Sequence, residues 1–310
     1  MAATDVEIAR IPASVELKRP ARSLWGDAWH QFTRHRLAMA GLFTFLALVA
    51  FTLIGPFVYH TPIDNIDFTM SLKGPSAEHL FGTDDLGRDM LARAILGGRV
   101  SIAVGVTSVL VAITLGLAIG SLAGYFAKLD SPLMRLTDLF LSLPILPLLL
   151  VVVYLFRDAL REAFGPEVGI FLMIVGVIGI LNWMPVARLV RASFLSLKQK
   201  EFVEAARAIG DPDSRIIMKH IIPNVLSPVL VAATIGVGGA ILTESTLSFL
   251  GLGFPSDTPT WGRLLYDAKD YIDIAPHWAF FPGFLIFLTV LSINYVGDGL
   301  RDALDPRKTS

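Results

Sequence analysis

The chain has 310 residues, 54% of them hydrophobic and only 17% charged, where an ordinary soluble domain carries about 25% charged residues. Its net charge of −1 supplies no global field to attract nucleic acid or acidic ligands, so no nucleic-acid partner is expected. The absence of cysteine excludes disulfides, thiolate metal sites and cysteine nucleophiles.

Crossing a bilayer takes roughly 20 mostly apolar residues. Six nearly uncharged runs meet that need, at residues 37–59, 100–127, 133–156, 168–187, 227–250 and 274–296. Four of the six contain no Asp, Glu, Lys or Arg. A Lys, Arg or Asp at a helix centre costs about 3 kcal/mol on insertion, so such clean runs point to lipid rather than to a soluble core. The expected fold is all-α, a polytopic membrane bundle of six transmembrane helices.

Residues 1–36 form a mostly polar N-terminal tail. The run at 37–59 is too long for a signal core and lacks a small-residue cleavage site, so it reads as a first retained helix. Residues 60–99 form a loop. Within it, Gly82, Thr83, Asp84, Gly87, Arg88 and Asp89 read as turns and caps, with Asp84, Asp85, Arg88 and Asp89 satisfying one another. Docking of a partner protein on this stretch is the alternative.

The second run carries Gly116, Gly120 and Gly124 at four-residue spacing on one face. In lipid, small residues at this spacing let a neighbouring backbone approach closely, so helix packing is the expected role. Pro144 and Pro147 in the third run and Pro185 in the fourth each remove a backbone donor and invite a kink. Glu244 lies late in the fifth run, near one end. A carboxylate there serves either a polar contact at the interface or a gate or substrate role. Trp261, Tyr266, Tyr271 and Trp278 are expected as interfacial anchors.

The long loop at 188–226 is built as more than a connector. Phe202, Ala205, Ala206 and Ile209 fall at i, i+3, i+4 and i+7, giving a short helix one apolar face. Gly210 stands where a left-handed cap ends that helix. Asp211 offers a side-chain cap and Pro212 a first-turn residue for a second helix, which Pro223 ends. Such a helix–turn–helix suits a groove on a partner protein, or else the lipid headgroup layer.

Lys and Arg set the orientation. With the N-terminus inside, the inner segments hold 18 of them and the outer loops 8. Both termini, including the tail at 301–310, are therefore expected in the cytoplasm.

Several motifs now converge on one resemblance. Glu204-Ala205-Ala206, then Gly210, then His220-Ile221-Ile222-Pro223 resembles the EAA loop of ATP-binding cassette (ABC) importer permeases, apart from Ile222 where Leu is common. His79 to Asp84, Gly87-Arg88-Asp89, Gly98 to Ser101, Leu247 to Gly253 followed by Trp261-Gly262, and Gly297 to Pro306 resemble the C-type permease of oligopeptide, dipeptide and nickel importers. The Arg22-Ser23-Leu24-Trp25 start is similar to the oligopeptide branch.

The resemblance implies a type I ABC importer permease fold, with a five-helix core at 100–300. It also implies residence in the bacterial inner membrane, with the 60–99 loop periplasmic. The 188–226 loop would dock on an ATPase, with Glu204 making the polar contact, Ala205 and Ala206 allowing close approach and Gly210 making the turn. Implied partners are a second homologous permease, one or two ABC ATPase subunits and a periplasmic or lipid-anchored solute-binding protein, all in contact with membrane lipid. Implied cargo is short peptides, with nickel or another small solute as the alternative.

The chain has no Gly-Lys-Ser or Gly-Lys-Thr phosphate-cradling loop, so ATP and Mg belong to the partner ATPases and no cofactor is expected here. Its six histidines lack metal-ligand spacing. No reactive cluster suggests an enzyme. The clean helix centres argue against an ion-coupled secondary transporter, which places ionisable groups or broken helices at the midplane.

Overall fold

The computed structural model describes residues 24–304. The expectations for residues 1–23 and 305–310, which include the Arg22-Ser23 start and the Asp305-Pro306 close, lie outside the described residues. Among the described residues no strand occurs, and one isolated bridge joins Thr83 to Asp89. Four helical runs among the described residues are long and apolar enough to cross a membrane: α2 (Arg36–Val58), α3 (Met90–Tyr125), the continuous run Asp213–Phe249 and α12 (Pro276–Ala303). Two bent pairs bring the number to six if each pair is one span.

Each start has a local cause. A short amphipathic α1 (Leu24–Arg34) precedes α2, whose cap His35 accepts the Ala38 N–H on Nδ1 at 3.1 Å. Asp89 caps α3, its Oδ1 accepting from Ala92 N at 2.7 Å. That helix begins ten residues before the apolar run that marks it in the sequence, because its charges there find backbone partners. Arg93 is buried and donates to Ser256 O at 3.0 Å. Arg99 donates to Thr52 O and Leu53 O at 2.8 and 2.7 Å. The loop expected at 60–99 is therefore non-helical only to Asp89, apart from one short 3-10 turn at Phe68–Met70.

The third expected span is two helices, α4 (Ala127–Ser142) and α5 (Ile145–Phe164), at 89° to each other. The break falls at Leu143, which is extended because the residue before a proline is kept out of the helical region. Pro147 is the third residue of α5, where no intrahelical donor is lost, and it breaks nothing. The fourth is also two helices, α6 (Pro166–Ile180) and α7 (Trp183–Leu197), bent by 41°. Here the break falls at Leu181 and Asn182. Pro185 sits in the first turn of α7 and is not the kink.

α3 and α7 lie side by side. A Cβ added at Gly116, Gly120 or Gly124 would stand 2.6 Å from Val186 Cβ, 2.5 Å from Ala187 O or 2.5 Å from Phe194 Cβ. All three are tighter than carbon contacts allow, so this spacing of the two helices requires glycine.

Among the described residues, three of the five apolar clusters follow the long axis. The middle one joins Val104, Leu149, Val153, Ile170, Met173, Ile174 and Leu247. One end holds Met90, Ala94, Leu264, Trp261 and Trp278. The other holds Val190, Phe194, Val203, Ile216 and Ile221. Trp261 and Trp278, expected as interfacial anchors, are 0% and 1% exposed. The Trp261 Nε1–H donates to Ala94 O at 2.9 Å, and the Trp278 ring stacks on Tyr271. These tryptophans are core, because the segment after Gly251 folds back on α3 and carries them in. Large apolar side chains such as Phe43, Phe57, Tyr154 and Phe287 face outward from the bundle instead.

Candidate functional site

The 188–226 loop is the most elaborated element at its end of the bundle. After α7, Lys198 turns the chain and its Nζ donates to Gly124 O at 3.0 Å. α8 (Glu201–Ala208) follows, with Val203 and Ala206 buried against the cluster around Phe194 and Ile216. The inward face is thus Val203 with Ala206, one residue off the face read from spacing. Phe202, Ala205 and Ile209 point outward, with Phe202 43% and Ile209 81% exposed. Glu204 is exposed beside them.

Gly210 ends α8 at φ +86°, where an L side chain would cost about 1–2 kcal/mol. Backbone bonds from Gly210 N to Arg207 O and from Asp211 N to Ala206 O, both 3.1 Å, close the turn. No heavy atom lies within 4 Å of a Cβ built there, so glycine answers the backbone angle and not a crowded neighbour.

Asp211 does not cap the next helix. It reaches forward, accepting from Arg215 Nη1 at 2.6 Å and lying 3.5 Å from His220 Nε2. The Arg215 hydrogen bond holds its carboxyl below the usual carboxylate value. The one-turn α9 (Asp213–Arg215) begins after Pro212 and passes through a π-turn, Ile216–Ile221, into α10 (Ile222–Phe249). Pro223 therefore ends nothing. The wider turn before it, closed by Ile222 N to Ile217 O, absorbs the missing donor and lets the helix run on.

Two contacts that spacing did not reveal fasten the loop. The Tyr125 hydroxyl donates to Asp213 Oδ1, and Lys198 holds Gly124 as above. Both act on the last turn of α3. An aromatic residue closing an apolar run was the available signal for Tyr125; Lys198 had none.

At the opposite end the Gly82–Asp89 motif is a closed turn. Gly82 and Gly87 sit at φ +76° and +75°, and a Cβ at Gly87 would lie 1.8 Å from Asp67 O. Asp84 accepts from Arg88 Nε at 2.6 Å and from the Leu86 and Arg88 N–H groups at 3.0 and 2.8 Å. Asp89 Oδ2 also pairs with His79 Nδ1 and accepts from the Tyr59 hydroxyl, both at 2.7 Å. The Thr83 hydroxyl accepts from Lys73 N at 2.9 Å. Of the four residues expected to satisfy one another only Asp84 and Arg88 pair; Asp89 turns to His79 and Tyr59, and at Asp85 burial, ahead of the neighbouring Asp84 charge, raises the carboxyl above the usual value.

Glu244 is 0% exposed, not at an interface with water. Its two oxygens accept from Ser101 on α3 at 3.2 Å and from Ser248 on its own helix at 2.8 Å. Ser101 Oγ in turn accepts from Trp261 N at 3.2 Å. The carboxylate thus ties α3 and α10, and through Ser101 the start of α11 (Trp261–Ala268), by a buried polar knot. Among the described residues no group of three or more His, Asp or Glu is placed to hold a metal ion.

The chain is similar to known proteins over most of its length. The model of the binding-protein-dependent transport system inner membrane component matches residues 112–310, and that of the N-terminal transmembrane domain of oligopeptide transport permease C matches residues 23–75. The oligopeptide transport system permease protein OppC of Haemophilus influenzae is 40% identical over 94% of this chain and 91% of its own length. The dipeptide transport system permease protein DppC of Alkalihalophilus pseudofirmus is 39% identical over 94% of this chain and 92% of its own. The glutathione transport system permease protein GsiD of Pectobacterium atrosepticum is 38% identical over 94% of each. Among solved structures, an inward-facing MetNI methionine ABC transporter chain superposes with TM-score 0.55 at 20% identity, covering 70% of this chain and 96% of that one. That likeness concerns the fold.

Proposed function

Because the chain belongs to the family of binding-protein-dependent transport system inner membrane components, as an ABC importer permease of the oligopeptide and dipeptide branch, we propose that it moves short peptides inward, driven by ATP hydrolysis on separate partner subunits. The observation that carries this reading is the face of α8. Phe202, Ala205 and Ile209 are exposed apolar side chains beside an exposed Glu204, while the helix beneath is fastened by Lys198 to Gly124 and by Tyr125 to Asp213. A rigidly backed apolar face with one carboxylate at its edge suits a groove on another protein.

On this reading the loop docks on an ATPase, and the glycine-packed α3–α7 pair carries its movement into the membrane. A second homologous permease completes the pathway, and a periplasmic or lipid-anchored solute-binding protein delivers the cargo to the Gly82 end. One or two kinds of ATPase serve it. The Lys and Arg distribution supports a bacterial inner-membrane chain with both termini in the cytoplasm. Relatives named for oligopeptides, dipeptides and glutathione share a peptide cargo, which supports peptides over nickel.

The test is uptake of labelled di-, tri- and pentapeptides, and of nickel, in cells lacking the chain and in complemented cells. Rescue confined to peptides supports the reading. Rescue of nickel alone, or of nothing with the protein inserted, rejects peptides as cargo.

A further inference from the structure

At the Gly82 end, a cavity of about 280 Å³ opens between the 82–89 turn, α11 and the start of α12. A single structural water needs only about 10–15 Å³ of such space, so this one approaches the size of small-ligand sites. Its wall mixes both signs of charge: Asp85, Asp267 and Asp270 with Arg88, Arg263 and Lys269, and Trp278 behind them.

The pairing inside the wall is incomplete in a particular way. Arg263 Nη2 meets Asp267 Oδ1 at 2.8 Å, yet Asp267 Oδ2 and Arg263 Nε are buried without a partner among the described residues. Trp278 is 1% exposed and its Nε1–H is likewise unpartnered, although a buried tryptophan N–H normally finds an acceptor. Lys269 Nζ lies over the Tyr266 ring at 3.7 Å, and Arg263 lies over the same ring at 4.7 Å, so both cations are held in place on the wall. Arg88 is engaged by Asp84 at 2.6 Å. The wall thus brings together three carboxylates, and one oxygen of Asp267, the Trp278 indole N–H and the Arg263 Nε–H have no partner among the described residues.

A lone anion would leave Asp85 and Asp267 unmatched, and a lone cation would leave Trp278 and Arg263 unmatched. A ligand carrying both an ammonium and a carboxylate matches all four. We propose that this cavity binds a small zwitterion, an amino acid or the free termini of a short peptide, with its ammonium toward Asp85 and Asp267 and its carboxylate toward Trp278 and Arg263. Burial raises the carboxyls of Asp85 and Asp267 above their usual values, and a bound ammonium offsets that cost. The choice of a peptide rests on the import reading above; the demand for two opposite charges does not.

The experiment uses the full chain in lipid nanodiscs and saturation-transfer NMR with Ala-Ala as probe, against N-acetyl-Ala-Ala-amide, which lacks both charges. Ala-Ala should show saturation transfer and the blocked peptide should not. Asp85→Asn and Trp278→Phe, which removes the indole N–H together with the pyrrole half of the side chain and keeps one aromatic ring, should each weaken binding about tenfold. No binding of Ala-Ala, equal binding of the blocked peptide, or wild-type binding by both variants overturns the proposal. So does a signal that appears only when a solute-binding protein is added, which would make the cavity a socket for that protein. Peptide uptake by complemented cells, measured alongside, separates the two readings: uptake without this binding rejects the cavity site alone, and loss of uptake in the wild type rejects peptide import itself.

Discussion

Tyr125, the last residue of α3, donates its hydroxyl to Asp213, 88 positions further on and the first residue of α9. The long helix and the second limb of the loop are thereby joined at one atom pair. Removing the hydroxyl with Tyr125→Phe costs a hydrogen bond to a charged acceptor, about 1.5–3 kcal/mol at most and less at this partly exposed position. The expected result is faster proteolysis at residues 209–212 and peptide uptake lowered several-fold, with membrane insertion unchanged. Wild-type values for both would show that the contact holds nothing in place.

Gly210 and Glu204 probe the loop in two different ways. Gly210→Pro cannot adopt φ +86° and should abolish uptake, because proline fixes φ near −65°. Gly210→Ala should cost only about 1–2 kcal/mol, since nothing crowds the added methyl. Glu204→Lys leaves the fold alone and reverses the charge offered to a partner. It should lower uptake while the melting temperature of the purified chain stays within a degree or two. Normal transport by both Gly210→Pro and Glu204→Lys would remove the loop from the mechanism.

The glycine seam predicts a contrast between two substitutions. Gly120→Ala puts a Cβ 2.5 Å from the Ala187 carbonyl oxygen and should destabilise by about 1–3 kcal/mol, the usual cost of overpacking. Gly176→Ala meets nothing within 4 Å and should be neutral or stabilising by up to about 1 kcal/mol, since alanine is the better helix former. Thermal unfolding in detergent reads both. Equal effects would mean that α3 and α7 are not packed as described.

For Glu244 the comparison is between glutamine and alanine. Glu244→Gln keeps an acceptor for Ser101 and a volume close to the original, and should be tolerated. Glu244→Ala leaves Ser101 and Ser248 without their acceptor and opens a cavity, at about 2–4 kcal/mol. A Glu244→Gln chain that unfolds as readily as the alanine variant, by thermal melt, would tie stability to the charge itself.

The loop should respond to pH in one direction. The Asp211 carboxyl is held below its usual 3.8 by Arg215. A depressed carboxylate contributes stability above its unfolded value and loses it as pH falls through the folded one. Amide exchange at residues 209–216, corrected for intrinsic rates, should therefore stay flat from pH 8 to about 5 and rise only below about 4. A rise between pH 7 and 5 would assign the loop's stability to a group other than Asp211.

Sequence patterning marked the six apolar stretches and the helix–turn–helix at Gly210, because lipid and a left-handed turn each impose strong local composition. It failed where a residue's partner is distant. Arg93 and Arg99 truncated the apparent start of α3, since nothing in the local run says that Ser256 or Leu53 will receive them. Trp261 and Trp278 looked like headgroup anchors because a fold-back segment is invisible to a window of hydropathy. Pro223 looked like a terminator because a π-turn depends on the backbone of the turn before it. Glu244 was visible as an anomaly, but its serine partner on α3 lies 143 positions away.

α3 has 36 residues, about 54 Å at the α-helical rise, against a hydrocarbon thickness of about 30 Å. It has no interior proline. One end begins at the Asp89 cap beneath the 82–89 turn, and the other ends at Tyr125 and Gly124, which grip the loop. Such a rod has no joint in which to lose a displacement. A tilt imposed at the Asp89 end must appear, reversed in sense, where Lys198 and Asp213 are held. The two faces of the membrane are then mechanically in series, and the chain would need no chemical messenger between them.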